Sequence, residues 1–145
     1  MNLIWGVLLI IFTLILCWLA QVINALSPAL AARLGVAEPE SDVDATFFVD
    51  GRGEAIWDAW ILWTLPLAGV LILLNNPWWP YFGLIGGGMY LYFAGRALIV
   101  RRVMQRHGIS IGKAGTLKLY NVILILWGLL GLFTIWMAVS ALQGA

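Results

Sequence analysis

The stretch that decides the fold is LIWGVLLIIFTLILCWLAQVINAL, residues 3–26. Its 24 residues contain no Asp, Glu, Lys, Arg or His. A helix rises 1.5 Å per residue, so crossing a hydrocarbon core about 30 Å thick takes roughly 20 apolar residues. No Lys or Arg precedes the run, and it is longer than the roughly 7–15 residues of a signal-peptide core. It reads as a retained first membrane helix. Thr13, Cys17, Gln21 and Asn24 fall along one of its faces, with Gly6 above. Amides at membrane depth need hydrogen bonds, so this face is either a polar seam of a bundle or part of a solute path.

Working outward, three further segments have the same character. Ala55–Leu74 carries Asp58 near its start, and Pro66 is placed to kink it. Tyr81–Val100 carries Arg96 near its end, and Leu119–Leu142 is uncharged. The expected fold is all-α: a four-helix transmembrane bundle, one integral membrane domain over residues 1–145. Composition points the same way. Hydrophobic residues make up 63% of the chain and charged residues 10%, against roughly 45–50% and about 25% in soluble domains. A water-soluble fold of this length has too little interior for that much apolar surface.

The connections differ in kind. Residues 27–54 form an acidic loop. It opens on Ser27-Pro28, an N-cap followed by proline at the first helical position, so Ala29–Leu34 should form a short interfacial helix closed by Gly35. Asp50-Gly51-Arg52-Gly53 reads as a turn. Residues 75–80, Asn-Asn-Pro-Trp-Trp-Pro, make a tight hairpin whose tryptophans suit a headgroup boundary. Residues 101–118 form a basic connection.

Charge sets orientation. With four crossings, the first and third connections share a side, and all eight basic residues belong to those connections and their flanks. The positive-inside rule makes that side cytoplasmic and both termini extracytoplasmic, in a plasma membrane of bacterial type. The acids fall there too. Residues 27–58 hold two basic and seven acidic residues, a net −5, while residues 96–118 hold six basic and no acidic ones, a net +6. The acidic loop should therefore fold over the basic connection.

Several residues stand out as candidate sites. Asp58 and Arg96 each lie about one turn inside a helix end, where ionisable groups are costly and normally pair. A buried ion pair is expected, with Glu54, one turn before Asp58, as the competing partner. Arg101, Arg102 and Arg106, followed by His107, extend the third helix toward anionic lipid headgroups or a partner chain. Gly83, Gly87 and Gly95, with Leu91, fall on one stripe that Gly86 and Gly88 widen, the pattern of close helix packing in lipid. Gly128 and Gly131 on the fourth helix partly match it. Trp57, Trp60 and Trp63 recur every three residues, an aromatic packing face.

Absences exclude much of chemistry. Cys17 is the one cysteine and His107 the one histidine, so no intramolecular disulfide, thiolate cluster or bis-histidine heme is possible within the chain. In the acidic run 38–44, Thr46 and Phe47 stand where an EF-hand needs an oxygen ligand and a glycine. No metal and no cofactor is expected, and no nucleic acid is expected as a partner. No ionisable group lies mid-helix to relay protons, and no hydrolytic triad or HExxH occurs. The chain is expected to be no enzyme. It reads as a non-catalytic membrane protein acting through helix packing, as a homo-oligomer or as the accessory subunit of a larger complex. Its partners would then be the bilayer and other membrane chains. The alternative is a small channel or facilitator for an ion or uncharged solute, its path lined by the first-helix amides and the third-helix glycines.

Overall fold

The computed structural model describes residues 2–144, which are helical apart from short connections. Four helices are long and apolar enough to cross a membrane: Leu3–Leu26, Ala45–Leu73, Trp79–Arg106 and Ala114–Gln143. The first span packs along the second, the second against the third, and the third along the whole fourth. Contacts among the described residues tie the first span to the fourth. Trp127 Nε1 donates to the Phe12 carbonyl at 2.9 Å, and Trp5 meets Phe133 edge-on at 4.7 Å.

The first span is not uniform. It runs as α1 (Asn2–Leu9), a π-helical stretch (Ile10–Trp18) and α2 (Leu19–Leu26). The hydroxyl of Thr13 takes the Leu9 carbonyl at 2.6 Å, the acceptor that an α-helical N–H at residue 13 would use. The Thr13 carbonyl in turn accepts from the Tyr90 hydroxyl at 3.0 Å. Both residues are fully buried.

Ser27 caps the short helix α3 (Pro28–Arg33), its hydroxyl accepting from the Leu30 N–H, and Gly35 ends that helix with φ +70°. After it the structure departs from the reading of the sequence. Helix α4 (Ala45–Ile61) begins ten residues before the expected position and runs straight through Asp50-Gly51-Arg52-Gly53. Asp44 starts it, its carboxylate accepting from the Thr46 N–H at 2.8 Å. Glycine weakens a helix by about 1 kcal/mol, but here each neighbour of the glycines is engaged elsewhere. Arg52 donates to the carbonyls of Asn24 and Ala25 at 2.7 and 3.1 Å, occupying acceptors at the C-terminal end of α2. Tertiary bonds thus outweigh the local turn preference.

The second span breaks at Leu62–Trp63 before α5 (Thr64–Leu73). Pro66 explains the break, since it has no N–H for the Leu62 carbonyl. Carbonyls at such a break need other donors in lipid. Those of Ala59, Trp60 and Ile61 accept from Trp18 Nε1, Trp63 Nε1 and the Thr64 hydroxyl. In the hairpin beyond, Asn75 takes a left-handed φ of 49° and Asn76 Oδ1 accepts from the Trp78 N–H.

Helices α6 (Trp79–Arg106) and α7 (Ala114–Gln143) complete the bundle. Three glycines of α6 are buried in two close contacts. A β-carbon at Gly87 would lie 2.7 Å from the Gly131 carbonyl oxygen and from Ile135, and one at Gly83 would touch Thr134 and Ala138. At Gly86 it would lie 2.5 Å from the backbone nitrogen of Leu65, just past the break in the second span. The expected stripe is corrected at its other members. Gly88 and Gly95 meet nothing within 4 Å, and Leu91 is exposed. The contacts of Gly83, Gly86 and Gly87 are filled within the chain.

Candidate functional site

The charged residues gather at one end of the bundle. Loop one lies over the connection between α6 and α7, as the opposite net charges require. Lys113 Nζ meets Asp42 Oδ2 at 2.8 Å, the Asp44 N–H donates to the Ser110 carbonyl at 2.8 Å, and the Thr116 hydroxyl donates to Glu38. The Lys113 ammonium holds the Asp42 carboxyl below its usual range, and Asp42 raises Lys113 in return. The hydrogen bond from Thr46 lowers Asp44 likewise. The Asp42–Lys113 contact is therefore complete at neutral pH. It is lost in acid below the ordinary aspartate range and in alkali above the ordinary lysine range. Gly112, at φ +121°, sits directly against the Glu38 side chain, where a β-carbon would be 2.6 Å from Oε1.

Because α4 starts early, Asp50, Glu54 and Asp58 fall at four-residue spacing on one helix face. The expected Asp58–Arg96 pair is not the one formed. Arg96 bonds Glu54 at 2.6 Å and Asp50 at 2.9 Å, a bridge from α6 to two successive turns of α4. The competing partner holds the guanidinium, together with an aspartate that the sequence placed in a turn. Asp58 is left buried at 3% exposure, its Oδ2 without a hydrogen-bond partner. It lies in a crevice of about 170 Å³ between the second and third spans, bordered by Trp57, Tyr92, Phe93 and Arg96. Trp57 and Tyr92 are 61% and 64% exposed on the outside of the bundle. Trp60 and Trp63 are exposed too, and Trp63 also packs against Phe82 at 6.3 Å.

The arginines of the third span separate. Arg102 and Arg106 are exposed, whereas Arg101 turns inward. Its guanidinium carbon sits 5.3 Å from the ring centroids of both Phe47 and Tyr120, and its Nη1 is buried without a hydrogen-bond partner. The periodicity held this cue: Arg101 continues the buried series Phe93, Ala97 at four-residue spacing. Its neighbours Arg102 and Arg106 lie off that buried series and are exposed.

Arg101 lines a cavity of about 320 Å³ at the charged end. Phe12, Cys17, Phe93, Leu124 and Trp127 line its apolar part. Gln21, Asn24, Glu54 and Tyr120 contribute polar groups, and residues 35–38 and 43 of loop one also line it. The first-helix amides therefore do share a cavity, but the third-helix glycines lie elsewhere. Comparison with family models, curated proteins and solved structures found no match.

Proposed function

We propose that this chain is a non-catalytic integral membrane protein that works in an assembly, as a homo-oligomer or as the accessory subunit of a larger complex. The observation that carries this reading is the Asp58 crevice. A buried polar atom without a partner costs free energy, and in a bilayer such groups face protein or a polar cavity. Asp58 Oδ2 has neither a donor nor an ion pair among the described residues, and the walls beside it, Trp57 and Tyr92, face outward. The fitting occupant is a transmembrane helix of another polypeptide that brings a hydrogen-bond donor and packs on the two aromatic rings. The buried glycines, by contrast, do not argue for a partner, since the chain itself fills their contacts.

A photo-crosslinking amino acid at position 57 or 92, activated in the native membrane, tests this. A discrete crosslinked species should form and should disappear with Asp58→Leu, while a probe at the exposed Ile125 gives none. Because Asp58 makes no side-chain hydrogen bond within the chain, Asp58→Leu should leave the bundle folded. Equal crosslinking with and without Asp58 would sink the proposal.

The channel or facilitator has one observation in its favour, the Gln21 and Asn24 amides lining a cavity. Against it, Leu9, Leu62, Leu65 and Tyr90 fill the core beyond that cavity and are fully buried.

The orientation belongs to the same proposal. Both termini are extracytoplasmic and the clasped charged end is cytoplasmic, a reading supported by the placement of the eight basic residues. Single cysteines at positions 2 and 41, in a Cys17→Ala background, check it in intact cells. An impermeant maleimide should label position 2 and spare position 41, and the reverse pattern would refute the topology.

A further inference from the structure

The cavity beside Arg101 is better built than a packing defect. Four charged residues line it, and three have partners. Glu54 is held by Arg96, Glu38 accepts from Thr116, and Arg52 donates to the α2 carbonyls. Arg101 has no carboxylate within ion-pair distance among the described residues, and one of its nitrogens is buried and unbonded. Phe47 and Tyr120, one ring from loop one's side and one from α7, hold its guanidinium in place without neutralising it. The result is a fixed cation at the polar rim of an apolar cavity.

The cavity also reaches the outside of the bundle. Leu16 and Leu126 line it and are 51% and 38% exposed, on the first and fourth spans, which elsewhere meet at few points. A ligand therefore has two requirements: an apolar body that can come from the bilayer side, and a head that accepts hydrogen bonds from a guanidinium. Volume supplies a third. About 320 Å³ is at the small end of the ~300–1,000 Å³ seen for small-molecule sites, room for one hydrocarbon chain rather than two.

We infer that this cavity binds a single-chain anionic amphiphile of the fatty-acid class, its head on Arg101 and its chain among Phe12, Cys17, Phe93 and Trp127. Arginine suits the head because its planar fork matches a carboxylate. Loop one closes over the site, since Phe47 belongs to the α4 that Asp44 initiates and residues 35–38 are pinned through Glu38 to Thr116. The site does not depend on the assembly reading, because the crevice at Asp58 is a separate pocket.

The test uses the full chain, purified in a maltoside detergent, with a long-chain fatty acid bearing a diazirine near its methyl end. Photolysis should label cavity-lining residues such as Phe12, Leu16, Cys17, Ile123 and Trp127. Oleate should compete, and oleyl alcohol, with the same chain and no charge, should compete at least ~10-fold less well, as loss of a charge-assisted hydrogen bond requires. Arg101→Gln should weaken labelling by a similar factor. If that variant does not fold, Ala20→Trp, which fills the cavity and keeps Arg101, should abolish labelling. Labelling spread over outward residues such as Ile15 and Val122, or equal competition by the alcohol, overturns the inference. So does labelling that survives Ala20→Trp. Displacement by phosphatidylglycerol as effective as by oleate would make the occupant a two-chain lipid and overturn the single-chain assignment.

Discussion

Gly86→Ala is expected to destabilise the bundle by roughly 3 kcal/mol or more, at the upper end of the overpacking range. The added methyl would stand 2.5 and 2.6 Å from the backbone nitrogen and Cα of Leu65. Backbone cannot rotate away as a flexible side chain does. Moving it means displacing the start of α5, and with it the break whose carbonyls are held by Trp18, Trp63 and Thr64. Gly88→Ala and Gly95→Ala are the matched controls. Nothing lies within 4 Å of either site, so alanine should be neutral or stabilising by up to about 1 kcal/mol through helix propensity. Thermal unfolding in detergent, followed by circular dichroism, reads all three. A Gly86 variant as stable as the Gly88 variant would show that the second and third spans do not meet at this point.

Arg96→Gln should be the most damaging single change among the charged residues. It removes one guanidinium and strands two carboxylates, Asp50 and Glu54, one turn apart on the same face. Removing one partner of a fully buried pair costs about 3–5 kcal/mol. Here the Arg96 side chain is 31% exposed, and solvent screening lowers the expected loss to about 2 kcal/mol. The double variant Arg96→Gln with Glu54→Gln should recover part of it, with a coupling on the order of 1 kcal/mol. A cycle between Arg96 and Asp58 should show much less, because those side chains do not bond. Strong coupling in the second cycle and additivity in the first would reverse the assignment of partners.

What was legible in the sequence was the architecture and the sense of the charges. The four spans, the Ser27-Pro28 cap, the Pro66 break and the attraction between the two connections follow from local chemistry and from charge counts. What was not legible depended on register and on distant partners. Asp50-Gly51-Arg52-Gly53 has turn chemistry, and only the tertiary engagement of Asp50 and Arg52 makes it helical. The early start of α4 creates the Asp50–Glu54–Asp58 face, and that face supplies the two partners of Arg96. The glycine stripe was half readable, since spacing places residues on a face but does not say which ends of that face meet a neighbour. The π-helical stretch carries no cue beyond Thr13. The inward turn of Arg101 was available in the four-residue series from Phe93, while its sandwich between Phe47 and Tyr120 joins residues too far apart in the chain to be paired by spacing.

The account of what the protein does rests most on the claim that Asp58 is completed by another chain. The most direct measurement is the mass of the particle released from its native membrane in mild detergent, determined by native mass spectrometry over a range of concentrations, for the wild-type chain and for Asp58→Leu. The account predicts a wild-type particle of defined stoichiometry, containing either several copies of this chain or this chain with a foreign subunit. It also predicts that the Asp58→Leu chain is released folded and alone. A wild-type particle of 16.0 kDa, one chain with no partner at every concentration and again in native nanodiscs, would contradict it.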